Sequence, residues 1–401
     1  VGEGKLLEGG EGKLCRWREK ENRAGGDGGK IASRFRVGSE NPPYMMKELK
    51  MSAKNKQSAP EKPSLRRRMS SRWNALPRPL RITLRVIEYT LAVYVVLSVS
   101  GCWFLTHPKG RAVREVELPD GTEFVDIELK SSDGMRLAGW YLPNMRAVGG
   151  AVVCHGWQVH RMAVLDRAIW LRNRGLAVVL FDFRGHGSSE RTKCSLGEYE
   201  ARDVAAGIDY MMGALPPTAA KKVVLWGHSM GAVASLKAAV GRDDVWRVIA
   251  EAPFDNMSHS LNLYISNVAH LPPIPLAPTI CWLARRHIGL DEPVNVIPDC
   301  RMLTNTPVFL LTGGRDRMVS AAMGNAIMDA LAGPKERFIV PEGTHNHIFD
   351  SGGPKLETTL EGFLALKSLP VPEFKPEDAQ DEDNKSLLDQ RRLMELLNKE
   401  R

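Results

Sequence analysis

The sequence predicts an α/β fold: a mainly parallel, doubly wound sheet of about eight strands. Short apolar runs such as "GGAVVC" and "LAVVLF" lack any alternation of polar residues, as expected of strands covered on both faces. Between them lie longer stretches with helical spacing, and strand alternating with helix argues for a parallel sheet. The composition, 43% hydrophobic and 25% charged over 401 residues, suits one large domain with additional segments.

The elements follow in chain order. Residues 1–79 are rich in Gly, Lys, Arg, Glu and Ser, show no sustained apolar period, and read as a disordered basic arm. They carry 19 Lys/Arg against 9 Asp/Glu, whereas the rest of the chain is close to neutral. The formal charge of +8 therefore belongs to the arm and does not point to nucleic-acid binding. The first residue is Val1, and Met45, Met46, Met51 and Met69 each offer a start site.

Residues 80–107 are expected to anchor the chain in a membrane as a single transmembrane helix or uncleaved signal. "YTLAVYVVLSVSGCWFL", Tyr89 to Leu105, is 17 residues without a charge, at the lower limit for a span. No amphipathic stripe marks it as a core helix. "VSGC", ending at Cys102, offers lipidation as a second reading, although the apolar run continues past it. Arg72, Arg78, Arg81 and Arg85 precede the run, with Lys62 and Arg66–Arg68 upstream. Lys109, Arg111 and Arg114 follow it. The upstream excess puts the N-terminus in the cytoplasm and residues from about 108 onward on the extracytoplasmic side.

The catalytic-size domain is expected over 108–370. "TEFVDIEL" and "RLAGWYLP" alternate around "SSDG" and predict an antiparallel hairpin. "GGAVVCHG", "LAVVLFDFRGHG", "KKVVLWG", "VWRVIAEAP", "TPVFLLTGG" and "ERFIVPEG" predict six further strands, with helices over about 160–174, 197–214 and 229–241. Residues 254–298 break this rhythm with a Pro-rich, apolar segment, placed where a substrate-covering cap would be inserted. Residues 371–401 read as an acidic and then helical tail. The six cysteines, Cys15, Cys102, Cys154, Cys194, Cys281 and Cys300, show neither C-x-x-C nor zinc-ligand spacing. Cys281 and Cys300 could pair outside the cytoplasm, although nothing in their spacing requires it.

Chemistry is concentrated in three places. "LWGHSMGAVASL" puts Ser229 between Gly227 and Gly231, where a strand gives way to a helix. A serine hydroxyl needs a base to take its proton and a backbone that holds it clear, and a tight Gly-flanked turn supplies that exposure. Asp316, just past a buried strand in "LLTGGRDRMV", can orient a histidine. His345, in "VPEGTHNHIF", supplies the base, with His347 as rival. Backbone N–H groups of Met230 and of Trp157, in "VVCHGWQVHR", are the expected oxyanion donors. His155 reads as shaping that loop. His345 and His347 lack a third ligand nearby, so neither a metal nor a cofactor is expected.

Residues about 120–367 resemble the α/β-hydrolase superfamily, in its serine-hydrolase branch of serine aminopeptidases and prolyl-oligopeptidase-like esterases. "HGW", "GHSMGA" and "GGRDRMV" carry the resemblance. "FDFRGHGSSERTKCSLGEYEARDVAAGIDYM" adds to it, being similar to that branch's D-x-R-G-x-G-x-S followed by G-x-x-E-x-x-D. The resemblance implies acyl transfer to water through an acyl-enzyme, with Asp182, Arg184 and Glu200 structural. It leaves the substrate open. The expected activity is hydrolysis of an ester, thioester or amide in a small-molecule or lipid-like acyl substrate, ester being favoured. A peptidase, a cofactor-free haloperoxidase-like enzyme and a non-catalytic binding protein are the alternatives.

Overall fold

The computed structural model describes residues 65–109 and 123–370. The expected arm up to residue 64, the start sites before Met69, Cys15, Arg111, Arg114 and the C-terminal tail 371–401 lie outside the described residues. Part of the arm departs from expectation. Leu65–Ala75 forms a helix (α1) within the stretch read as disordered. Leu, Arg, Met and Ala are good helix formers, and Pro77 then closes the segment. This helix belongs to a unit ending at Pro77; a second unit starts at Arg78.

The second unit begins with a 29-residue helix, α2 (Arg78–Thr106). Pro79 falls in its first turn, where a missing N–H costs nothing. There follow β1 (Val125–Lys130) and β2 (Arg136–Leu142), then β3 (Gly149–Cys154), α3 (Leu165–Asn173), β4 (Leu176–Phe181) and α4 (Glu200–Ala214). Next come β5 (Val223–His228), α5 (Met230–Ala238), β6 (Val245–Glu251), α6 (Met257–Leu263) and α7 (Leu276–Ile288). The unit closes with α8 (Ile297–Met302), β7 (Val308–Gly313), α9 (Ala321–Ala330), β8 (Lys335–Val340) and α10 (Ile348–Leu364).

Eight strands form one sheet in the order β1-β2-β4-β3-β5-β6-β7-β8. β1/β2 and β2/β4 pair antiparallel, and the remaining neighbours pair parallel. In β3, Val152 and Cys154 belong to one apolar cluster and Ala151 and Val153 to the other, as a two-residue period across a doubly covered sheet requires. Each expected strand is present, shorter by a residue or more than its apolar run. The run after β4, "DFRGHG", instead forms a buried polar turn. Asp182 accepts from Arg161 N–H (2.8 Å), the Arg161 guanidinium (2.6 Å) and Ser188 N–H (2.8 Å). Arg184 forks onto Asp203, and Glu200 accepts the Ser195 and Gly197 N–H groups. The parallel strands point their C-terminal ends at one edge, where crevices form in doubly wound sheets.

Candidate active site

At the end of β5 the chain turns into α5 through Ser229, whose φ of 53° lies in the left-handed region that side chains avoid. The turn is held by the Ser229 N–H donating to the Glu251 carbonyl (2.8 Å) on β6. Both glycines are dictated by crowding. A Cβ on Gly231 would sit 2.5 Å from the Cys154 carbonyl oxygen, and one on Gly227 would collide with the Gly231 carbonyl. Under the turn, Arg167 forks onto the buried Glu251 carboxylate, which also accepts from Trp226 Nε1 (3.0 Å). Burial raises the Glu251 carboxyl, but Arg167 more than offsets this and holds it at about 2.

Ser229, His345 and Asp316 come together from three loops at the same sheet edge. His345 Nε2 lies 3.0 Å from Ser229 Oγ, and His345 Nδ1 lies 2.7 Å from Asp316 Oδ2. A carboxylate only accepts, so Nδ1 carries the proton and Nε2 is left to accept from the serine hydroxyl. Asp316 is fixed in turn, because its Oδ1 accepts the N–H groups of Met318 (2.8 Å) and Val319 (2.9 Å). His228 Nε2–H donates to the His345 carbonyl (2.8 Å), which pins the histidine loop to the elbow. Burial pushes the His228 imidazole down to about 4, so it is neutral. His347, the rival base, is exposed and pairs with Asp350 (3.2 Å).

The loop after β3 abuts the elbow: a Cβ on Gly156 would lie 3.4 Å from Ser229 Cβ. Buried His155 bonds through both nitrogens, donating to the Gly156 carbonyl (2.7 Å) and accepting the Phe183 N–H (2.9 Å). Among the described residues no acceptor takes the backbone N–H of Trp157 or of Met230, the two expected oxyanion donors. The Trp157 side chain has a use that the sequence did not suggest. Its Nε1 donates to the Leu105 carbonyl (3.1 Å), and Gln158 Nε2 donates to the Phe104 carbonyl (3.1 Å). The last carbonyls of a helix have no partner within it. Here the loop beside Ser229 supplies two.

A cavity of about 600 Å³ opens above Ser229, within the range of small-molecule sites. Ser229, Met230, His345 and Trp157 form its floor. The expected cap covers it, with Met257, Leu261, Tyr264, Leu276 and Ile280 facing in. The third wall was not foreseen: Leu97, Ser100, Gly101, Phe104 and Leu105 of α2 also line the cavity. The boundary expected near residue 107 therefore does not separate helix from site. Cys102 is buried near the end of this helix, and Cys281 and Cys300 are both free thiols. Among the described residues no cluster of three or more His, Cys, Asp or Glu is arranged to hold a metal.

Residues 146–286 match the family model described as serine aminopeptidase, S33. An uncharacterised protein of Mycobacterium tuberculosis is 28% identical over 225 residues, 55% of this chain and 72% of its own length. One from Escherichia coli, YfhR, is 24% identical over 239 residues, covering 58% and 76%. Among solved structures, an esterase of Pyrococcus furiosus superposes with a TM-score of 0.54 at 20% identity, covering 64% of this chain and 98% of the esterase. That likeness speaks to the fold.

Proposed function

We propose that the chain, whose residues 146–286 match the serine aminopeptidase, S33 model and whose fold is that of an α/β hydrolase, is a membrane-anchored serine hydrolase that cleaves carboxylic esters through an acyl-enzyme. The hydrogen-bonded series Ser229–His345–Asp316 carries the reading. Ser229 Oγ attacks the acyl carbonyl while His345 Nε2 takes its proton. Asp316 holds the ring in the tautomer that can accept. The N–H groups of Trp157 and Met230 stabilise the oxyanion. Collapse of the tetrahedral species expels the alcohol, which leaves with the proton from His345. Water then repeats the sequence on the acyl-enzyme and releases the acid.

An ester is favoured over a peptide because the cavity is lined by apolar and neutral polar groups. No Asp or Glu among the lining residues could hold a free amino terminus. Helix α2 is the anchor: 29 residues long, with apolar side chains from Leu80 to Val99 exposed. The basic residues ahead of it support a cytoplasmic N-terminus.

The test is labelling with a fluorophosphonate probe, followed by turnover of p-nitrophenyl esters and amino-acid anilides. Ser229→Ala should abolish labelling and lower ester turnover by several orders of magnitude. Labelling of the alanine variant at the wild-type rate would refute the assignment. Faster turnover of anilides than of esters would overturn the preference for esters.

A further inference from the structure

Resting on that reading, we infer that the cap lies in the bilayer beside α2 and that the cavity opens there, so that the acyl donor is a long-chain membrane lipid ester. The first support is sequence read onto packing. From Tyr89 to Pro108 the helix and its exit carry no charge, and from Asn256 to Ala284 the cap carries no Asp, Glu, Lys or Arg. These two uncharged stretches pack on each other. The Tyr94 hydroxyl pairs with Thr279 Oγ1, Gly101 lets α2 approach Ile280, and the His107 and His287 rings lie 5.2 Å apart.

Depth follows from length. The uncharged helical run Tyr89–Leu105 rises only about 25 Å, less than the hydrocarbon core of about 30 Å. The part from Tyr94 onward, twelve of its seventeen residues, contains the contacts with the cap. Helix α2 cannot place this run in hydrocarbon while the cap segment packed on it stays in water. The cap's outward side chains agree. Ile274 is 75% exposed and Trp282 53%, and Val268 and Leu271 are also exposed. Charge resumes at Arg285 and Arg286 in the last turn of α7, whose His287 ring lies near Trp103 and His107, as expected where a segment emerges among lipid headgroups.

The opening lies on the same side. Leu97, Ser100 and Leu271 line the cavity and are themselves exposed, so its mouth lies between α2 and the cap loop. The helix presents two stripes. Tyr94, Ser98 and Cys102 face the cap or are buried beneath it, and Leu97, Ser100, Gly101, Phe104 and Leu105 line the route to Ser229. An acyl chain that slides between α2 and the cap exchanges lipid neighbours for apolar side chains and brings its carbonyl towards Ser229.

The test uses the full chain in phospholipid vesicles and reads the turnover ratio of a vesicle-borne palmitoyl ester to a water-soluble acetyl ester. Ser100→Trp fills the route from the helix side and strands two or three methylenes, at roughly fourfold each, so the ratio should fall at least tenfold. Val99→Trp, on an exposed position outside the cavity, should preserve it. Ile274→Glu, also outside the cavity, should lower the ratio at least tenfold while acetyl-ester turnover persists. A wild-type ratio in either Ser100→Trp or Ile274→Glu overturns the inference. If the wild type turns over neither ester and takes no fluorophosphonate, the serine-hydrolase reading fails instead. Binding of cis-parinaric acid, weakened tenfold by Ser100→Trp but not by Val99→Trp, then decides the channel; equal binding in the two variants rejects it.

Discussion

Replacing Asp316 by Asn should inactivate the protein without unfolding it, and the reason can be traced atom by atom. Oδ1 of Asp316 is committed to two backbone donors, Met318 N–H at 2.8 Å and Val319 N–H at 2.9 Å. An asparagine keeps those bonds only by placing its carbonyl oxygen there, which turns its NH₂ group towards His345 Nδ1. Nδ1 must then accept, the ring proton moves to Nε2, and Nε2 can no longer take the proton of Ser229. The ring stays in place in the wrong tautomer. Triads with this defect lose about 10⁴-fold in kcat, which corresponds to about 5.5 kcal/mol of barrier. Asp316→Ala differs instructively. It forces no tautomer but strands two N–H groups beside a side chain that is 1% exposed, at roughly 1–3 kcal/mol each. Steady-state ester hydrolysis with thermal melting in detergent separates the two variants. The asparagine protein should melt near wild type with kcat reduced 10³-fold or more, and the alanine protein should melt several degrees lower. An asparagine variant that retains a tenth of wild-type kcat would show that the Asp316–His345 contact does not set the tautomer.

Two further outcomes follow from the same geometry. His345→Ala should be as damaging as loss of Ser229, whereas exposed His347→Ala should keep most activity; rates reversed between the two would move the base by two residues. Stability should fall as pH drops from about 6.5 towards 4. In the folded protein His228 is held neutral by burial down to about 4, so the unfolded chain binds more protons across that window. His228 alone contributes about 3 kcal/mol, fully present above pH 6.5 and lost as pH falls through its folded value. Buried His155 is displaced in the same direction, while Glu251, held at about 2, adds its loss only below about pH 4.3. Melting curves from pH 7 to pH 4 for wild type and His228→Gln check this. A slope that the substitution fails to flatten would locate the titration elsewhere.

The sheet and the three loop residues were legible because each leaves a local mark. Strands covered on both faces must be continuously apolar, and the elbow must have glycines where a Cβ would meet backbone, as at Gly231. Ser229, Asp316 and His345 stand directly after such runs, so strand order alone brings them to one edge. Helix α2 was legible only as an apolar run. Its second role depends on which face meets the cap, and a segment apolar all round carries no period to reveal that. The available hint was the cluster of small residues Ser98, Ser100, Gly101 and Cys102 late in the run, of which Gly101 marks the close approach to Ile280. The side chains of Trp157 and Gln158 were illegible for a different reason. Their acceptors lie about fifty residues earlier, in carbonyls that every helix end possesses.

Those two hydrogen bonds bear on how the protein comes into being. The loop expected to hold the oxyanion is braced against Leu105 and Phe104, and the cavity lacks one wall until α2 lies along the cap. A fragment beginning after the helix would keep Ser229, His345 and Asp316 but would present an open apolar trough and a loop without its braces. Completion of the cavity is thus the same event as docking of α2 along the cap. A chain whose helix has not yet met the cap has a cavity that stands open along one side.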